Sequence, residues 1–161
     1  MNEIIAHRFK TFALCLALVC CGGTAWADQP HYIRLDTSLN AQRCYVVSLK
    51  EAGLGTATFI TYSLSADACI KAACFTKNGN QVQGVPKSGD SSATQQTTLP
   101  VRHGQTTGDI SLCPTAFNLP DPGCTGTQEL RVIAVQYTSV VLTDGVSQPV
   151  ALDPAGFGTC P

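Results

Sequence analysis

Ala73-Cys74-Phe75-Thr76-Lys77-Asn78-Gly79-Asn80-Gln81-Val82 reads as a strand, a turn and a returning strand. Asn-Gly tolerates the positive φ of a two-residue type I′ turn, so the stretch predicts a β-hairpin. The pattern recurs where Val140-Val141-Leu142-Thr143 meets Asp144-Gly145 and the chain returns through Val146 to Val150. These two hairpins are the firmest local signals in the chain, and the rest is read outward from them.

Alternation of apolar and polar residues supplies further strands. Ile33 and Leu35 flank Arg34; Tyr45, Val47 and Leu49 share one face of 43–50; Ile60, Tyr62 and Leu64 share one face of 56–65; Ile110 and Leu112 alternate with Asp109 and Ser111. Residues 129–143 are apolar on both faces, which predicts a central strand, bulged or broken near 136–139. Two segments break the pattern. The Ala-rich 65–74 fits either a short helix capped by Ser65 or an irregular strand. Residues 86–98 are polar, with almost nothing to bury, and read as an exposed loop. Seven to nine short strands with frequent turns predict an all-β domain, a small disulfide-stabilised β-sandwich (immunoglobulin-like or related), with a closed β-barrel as the alternative.

The first 27 residues read as a signal peptide. His7, Arg8 and Lys10 precede an apolar run from Thr11 to Cys21, and Ala25-Trp26-Ala27 offers a small-x-small cleavage site. The run is shorter than the ~20 apolar residues needed to span a bilayer. The expected product is an exported single domain, 28–161, periplasmic or extracellular. The alternative is a lipoprotein anchored at Cys21, although Cys20 fits poorly before that cut.

Without the leader the chain holds eight Lys/Arg against ten Asp/Glu, and neither Met nor Trp. That near-neutral balance gives no basic stripe for phosphate backbones, so no nucleic-acid partner is expected. No polybasic or amphipathic segment is present to hold a membrane. Six cysteines remain: Cys44, Cys69, Cys74, Cys113, Cys124 and Cys160. An even count in an exported domain reads as three disulfides. Cys113 and Cys124 bracket the Pro-rich 114–123 and suggest a local clamp, and Cys160 suggests a pin on the C-terminus. The rival reading, a zinc site at Cys69-x4-Cys74, lacks a second ligand pair.

Catalytic signals are weak. His103 in Val101-Arg102-His103-Gly104, with Asp109 and Ser111 downstream, could supply a hydrolytic base, but there is no Gly-x-Ser-x-Gly elbow, and a hairpin loop explains it better. His31 reads as a solvated strand end. Carboxylate pairs from Asp36, Asp67, Asp90, Asp109 or Asp121 require a spatial separation that sequence does not give. Asp121 and Asp153, beside prolines, fit turns, as does Asp90 within 88–92. No metal or cofactor is expected. For sugar binding, Tyr45, Tyr62 and Tyr137 lie in expected strands and read as core, which leaves Phe117 and Phe157, in Gly- and Pro-rich loops, as the candidate exposed contacts.

The functional expectation is a non-enzymatic binding or surface-interaction module. Its partner would be a protein, met through sheet edges or the loops around Phe117 and Phe157, with carbohydrate as a second possibility; oligomeric state is left open. Two alternatives accompany it: an exported inhibitor or immunity-type protein inserting 86–98 into an enzyme, and a small hydrolase using His103.

Overall fold

The computed structural model describes residues 29–82 and 84–160. The leader, its cleavage site and the alternative anchor at Cys21 lie outside the described residues. Eight strands follow in order: β1 (His31–Leu39), β2 (Tyr45–Ala52), β3 (Phe59–Thr76), β4 (Lys87–Pro100), β5 (Gln105–Leu112), β6 (Gln128–Thr143), β7 (Val150–Ala151) and β8 (Ala155–Phe157). A short 3₁₀ turn, Pro114–Ala116, precedes β6.

The strands form two antiparallel sheets, β1-β2-β5 and β4-β3-β6-β7, with β8 also paired to β6. The chain is therefore a β-sandwich and no barrel closes. Lettered in chain order, the two sheets hold the A-B-E and C-F-G sets of an immunoglobulin-type sandwich, with the fourth strand beside the third. Val47, Leu49, Ile110 and Leu112 from the first sheet meet Tyr62, Leu64, Ile70, Val135 and Leu142 from the second, all fully buried. Each such side chain contributes about 1.5–3 kcal/mol of apolar burial.

Tyr45, Tyr62 and Tyr137 are core residues with no exposed surface, and each phenol finds a partner. Tyr45 donates to the Asp153 carbonyl at 2.7 Å and Tyr137 to the Arg43 carbonyl at 2.9 Å. Tyr62 donates to Glu51. The Tyr45 and Tyr137 rings meet edge-on at 5.6 Å, closing one end of the core.

Several local expectations are corrected. Residues 65–74 are not a helix but the irregular strand: they belong to the 18-residue β3, whose register with β6 shifts between Ser65 and Asp67 and between Lys71 and Ala72. Ala66, Ala68, Ile70 and Ala72 alternate inward and are buried, and pairing on both edges overrides the helix propensity of alanine. Residues 86–98 are not a loop: 87–100 form the 14-residue β4 in unbroken register with β3. An edge strand needs apolar residues on neither face if it covers little core, and the inward positions here include Gly89, Ser91 and Ala93. Its ladder to β3 supplies what side chains do not.

The first hairpin is present, but only Gly79 takes positive φ, at 83°. Gly79 donates to the Thr76 carbonyl and Thr76 to that of Asn80, a three-residue connection ending in a left-handed glycine instead of a type I′ turn. At Asp144-Gly145 the return is longer, since Leu142 pairs with Val150. A bulge between Tyr32 and Arg34 turns Ile33 out to 51 % exposure, against its expected place beside Leu35. The expected bulge in β6 falls at its predicted end, where Ser139 has φ 50°.

The disulfides are Cys44–Cys113, Cys69–Cys160 and Cys74–Cys124. The Cys113–Cys124 clamp is thus corrected: the two ends of the Pro-rich loop are tied to different strands. Pro114 also starts a 3₁₀ turn within that loop. Cys160 does pin the C-terminus, to β3. The pairing removes the Cys69/Cys74 zinc reading and places folding in an oxidising compartment.

Candidate functional site

The ladder parity of β4 follows from one bond. Val101 N–H donates to the Thr58 carbonyl at 2.8 Å, so odd-numbered residues of β4 face β3. In an antiparallel ladder the alternate residues turn both backbone groups the other way. Ser88, Asp90, Ser92, Thr94, Gln96 and Thr98 therefore present their N–H and C=O groups to the free edge. The Gln96 carbonyl is taken by the Gln95 side chain at 3.0 Å, and the Pro100 carbonyl by Thr106 at 2.9 Å. Pro100, with no N–H to give, falls on the outward parity at the strand's end, where proline is tolerated.

Natural sheets protect such edges with charge, bulges, prolines or brevity. Three of the other edges are protected, while β5, the second edge of the first sheet, is an eight-residue strand paired only to β2. β1 carries a bulge and the Arg34–Asp36 ion pair at 3.3 Å, while β7 and β8 are two and three residues long. β4 has no bulge, and its charges, Lys87 and Asp90, sit at one end. Its outer face is lined with hydroxyls, among them Thr98 bonded to Thr61 at 2.8 Å and Ser92 donating to Asp67 at 2.5 Å. A shallow groove of about 470 Å³ there is bordered by Asp67, Asp90, Ser92, Gln136 and Thr138.

A second surface lies at the end of the sandwich. β3 and β6 run past the shorter strands of the first sheet, and a groove of about 660 Å³ opens beneath their overhang. Arg43 and Arg131 border it. Arg43 lies 4.1 Å over the Phe157 ring, and Arg131 lies 5.2 Å over Phe75 while paired to Glu129 at 2.7 Å.

Of the expected contact residues, Phe157 is 47 % exposed beside Arg43, whereas Phe117 is only 5 % exposed. Phe117 is corrected from surface to core: the 3₁₀ turn swings it inward, 5.8 Å edge-on to Tyr137. His103 occupies a tight turn with Arg102 and Gln105 exchanging bonds of 2.8 and 3.0 Å. His103 and Gly104 have φ 52° and 71°, so this is the chain's type I′ turn. Asp109 and Ser111 lie along β5, about 13 and 20 Å beyond Gln105 at the strand rise. The turn and the strand keep the three apart, and no relay forms. His31 begins β1 in solvent and bonds the Gln29 carbonyl at 2.8 Å. The inserting loop of the inhibitor reading is the strand β4.

A buried acidic cluster escaped the sequence reading. Glu51 has no exposed surface and accepts from the Tyr62 hydroxyl and, at 3.0 Å, from Ser147. Its carboxyl faces that of Asp144, which accepts from the Val146 and Ser147 amides at 2.9 and 2.7 Å and from Tyr32 at 3.5 Å. Burial, and after it the hydrogen bond and charge of Asp144, push Glu51 above the usual carboxylate range, against the pull of the Tyr62 and Ser147 hydroxyls. Asp144 is also desolvated, but the loop amides and the Glu51 carboxyl hold it below its usual range. Of the two carboxyls, Glu51 is therefore the more readily protonated. Burial raises the Tyr62 and Tyr32 phenols, with both carboxyls adding to the effect.

No protein-family model, curated protein or solved structure matches this chain.

Proposed function

We propose that this chain is an exported, non-enzymatic protein-interaction module that takes an extended segment of a protein partner as an added strand on β4. The observation that carries the reading is the uninterrupted, nearly uncharged 14-residue edge with outward backbone groups from Ser88 to Thr98. Backbone pairing along such an edge gives affinity, and the side chains beside it give selectivity. Here those side chains are Thr, Ser and Gln, which suits a polar strand of similar composition. The three disulfides and the basic, apolar and Ala-x-Ala start of the chain support a periplasmic or extracellular setting.

A synthetic peptide copying residues 88–98 of this chain is the direct probe, because its composition matches the edge it would meet. Fluorescence polarisation should show saturable binding to the folded protein and at least ~10-fold weaker binding to Thr94→Pro, which removes an outward N–H. Equal binding by the two proteins, or none at millimolar peptide, would reject the reading.

A further inference from the structure

Arg43 is a half-buried cation held in a constrained backbone turn. Its φ of 64° is left-handed, a conformation that side chains other than glycine adopt at a cost. Four contacts hold it there. Arg43 N–H donates to the Asn40 carbonyl at 2.9 Å, and the Asn40 side chain accepts from Cys44 N–H at 2.9 Å. The next residue, Cys44, is bonded to Cys113. The Tyr137 hydroxyl reaches out of the core to the Arg43 carbonyl at 2.9 Å. The guanidinium itself is laid against Phe157 at 4.1 Å.

This restraint serves no ion pair: among the described residues no carboxylate lies within 4 Å of Arg43. A strained, well-held cation without an ion-pair partner among the described residues is the kind of outlier from which a binding role is inferred. The groove it borders has apolar walls from Val132, Ile133 and Pro114, and a second arginine, Arg131, also lines it. Arg131 is already half-committed to Glu129, so the net charge offered to a ligand comes mainly from Arg43.

We propose that this groove is a binding site for a peptide carboxylate with an adjacent apolar side chain, the carboxylate taken by Arg43 and the side chain by the Val132–Ile133–Pro114 wall. A planar guanidinium held in a fixed orientation matches a carboxylate with two parallel hydrogen bonds. One face of each flanking phenylalanine is covered by an arginine, so the rings are less suited to stacking a sugar. The site lies at the end of the sandwich, and its occupation does not depend on pairing at β4.

The probe is N-acetyl-leucine, with N-acetyl-leucinamide as the uncharged control, titrated into the uniformly ¹⁵N-labelled protein. The acid should give saturable shifts at Gln42, Arg43, Thr115 and Val132, and the amide should bind at least ~10-fold more weakly. Arg43→Gly separates binding from folding, because glycine relieves the left-handed strain. It should keep the melting temperature within a few degrees and lose about tenfold or more in affinity. Arg43→Lys should retain only part of the binding. Equal binding of acid and amide, or unchanged affinity in Arg43→Gly, would overturn the proposal. So would inorganic sulfate reproducing the same shifts at the same concentration, which would reveal an unselective anion site.

Discussion

Glu51 on β2 and Tyr62 on β3 meet across the sandwich, the phenol donating to the carboxyl where both residues are fully buried. Glu51 continues the inward series Tyr45, Val47, Leu49 on its strand, so an acid occupies a core position. Its burial is tolerable because the Tyr62 and Ser147 hydroxyls donate to its carboxyl oxygens.

The pH dependence of stability follows from that pair. Glu51 is raised, so its contribution is present at acid pH and is lost as pH rises through its folded value. Asp144 is lowered, so its contribution is present above its unfolded value and is lost as pH falls. Stability should peak in mildly acidic solution. Glu51→Gln should flatten the decline on the alkaline side while leaving the acid limb in place. Thermal melts from pH 3 to 9 test this, and a wild-type optimum above pH 8 would contradict it.

Tyr62→Phe removes the donor but leaves the buried acid, and should cost about 1–3 kcal/mol. Chemical denaturation measures it, and a cost near zero would mean that the hydroxyl contributes little to holding Glu51.

The disulfide Cys44–Cys113 closes a separation of 69 residues between β2 and the Pro-rich loop. Replacing both cysteines by serine should cost about 2–4 kcal/mol. It should also loosen the Arg43 turn, weakening N-acetyl-leucine binding while leaving the Val132–Ile133–Pro114 wall in place. If affinity survives while stability falls, the bond braces the fold alone.

His103 serves as a turn residue at φ 52°. His103→Gly or His103→Asn should be neutral or gain up to about 1 kcal/mol, since both tolerate the left-handed region, whereas His103→Val should cost about 1–2 kcal/mol. Neither class of variant should alter peptide binding at β4. A stable His103→Asn protein that had lost a hydrolytic activity would instead restore the catalytic reading.

Much of the sandwich was legible because its central strands bury one face and show period-two alternation. Alternation extended one step beyond Leu49 would also have found Glu51 as an inward acid. β4 was illegible because an edge strand over Gly, Ser and Ala positions has little to bury, so polarity imitated a loop. The disulfide partners are set by which strands lie adjacent across the sandwich, and spacing carries no such information. Phe117 misled because a helical turn after Pro114 redirects it. The Arg43–Phe157 stack joins residues from opposite ends of the described chain, brought together only when β8 pairs with β6.

Residue-resolved amide hydrogen exchange, with and without the 88–98 peptide, tests the central claim most directly. In the free protein the ladder parity predicts slow exchange at Ser91, Ala93 and Thr97 and fast exchange at Ser92, Thr94 and Thr98. Added peptide should slow the second set, and Thr94→Pro, which removes an outward N–H, should weaken that protection at Ser92 and Thr98. Protection appearing at another edge, or no change along β4 at saturating peptide, would contradict strand addition as the function of this edge.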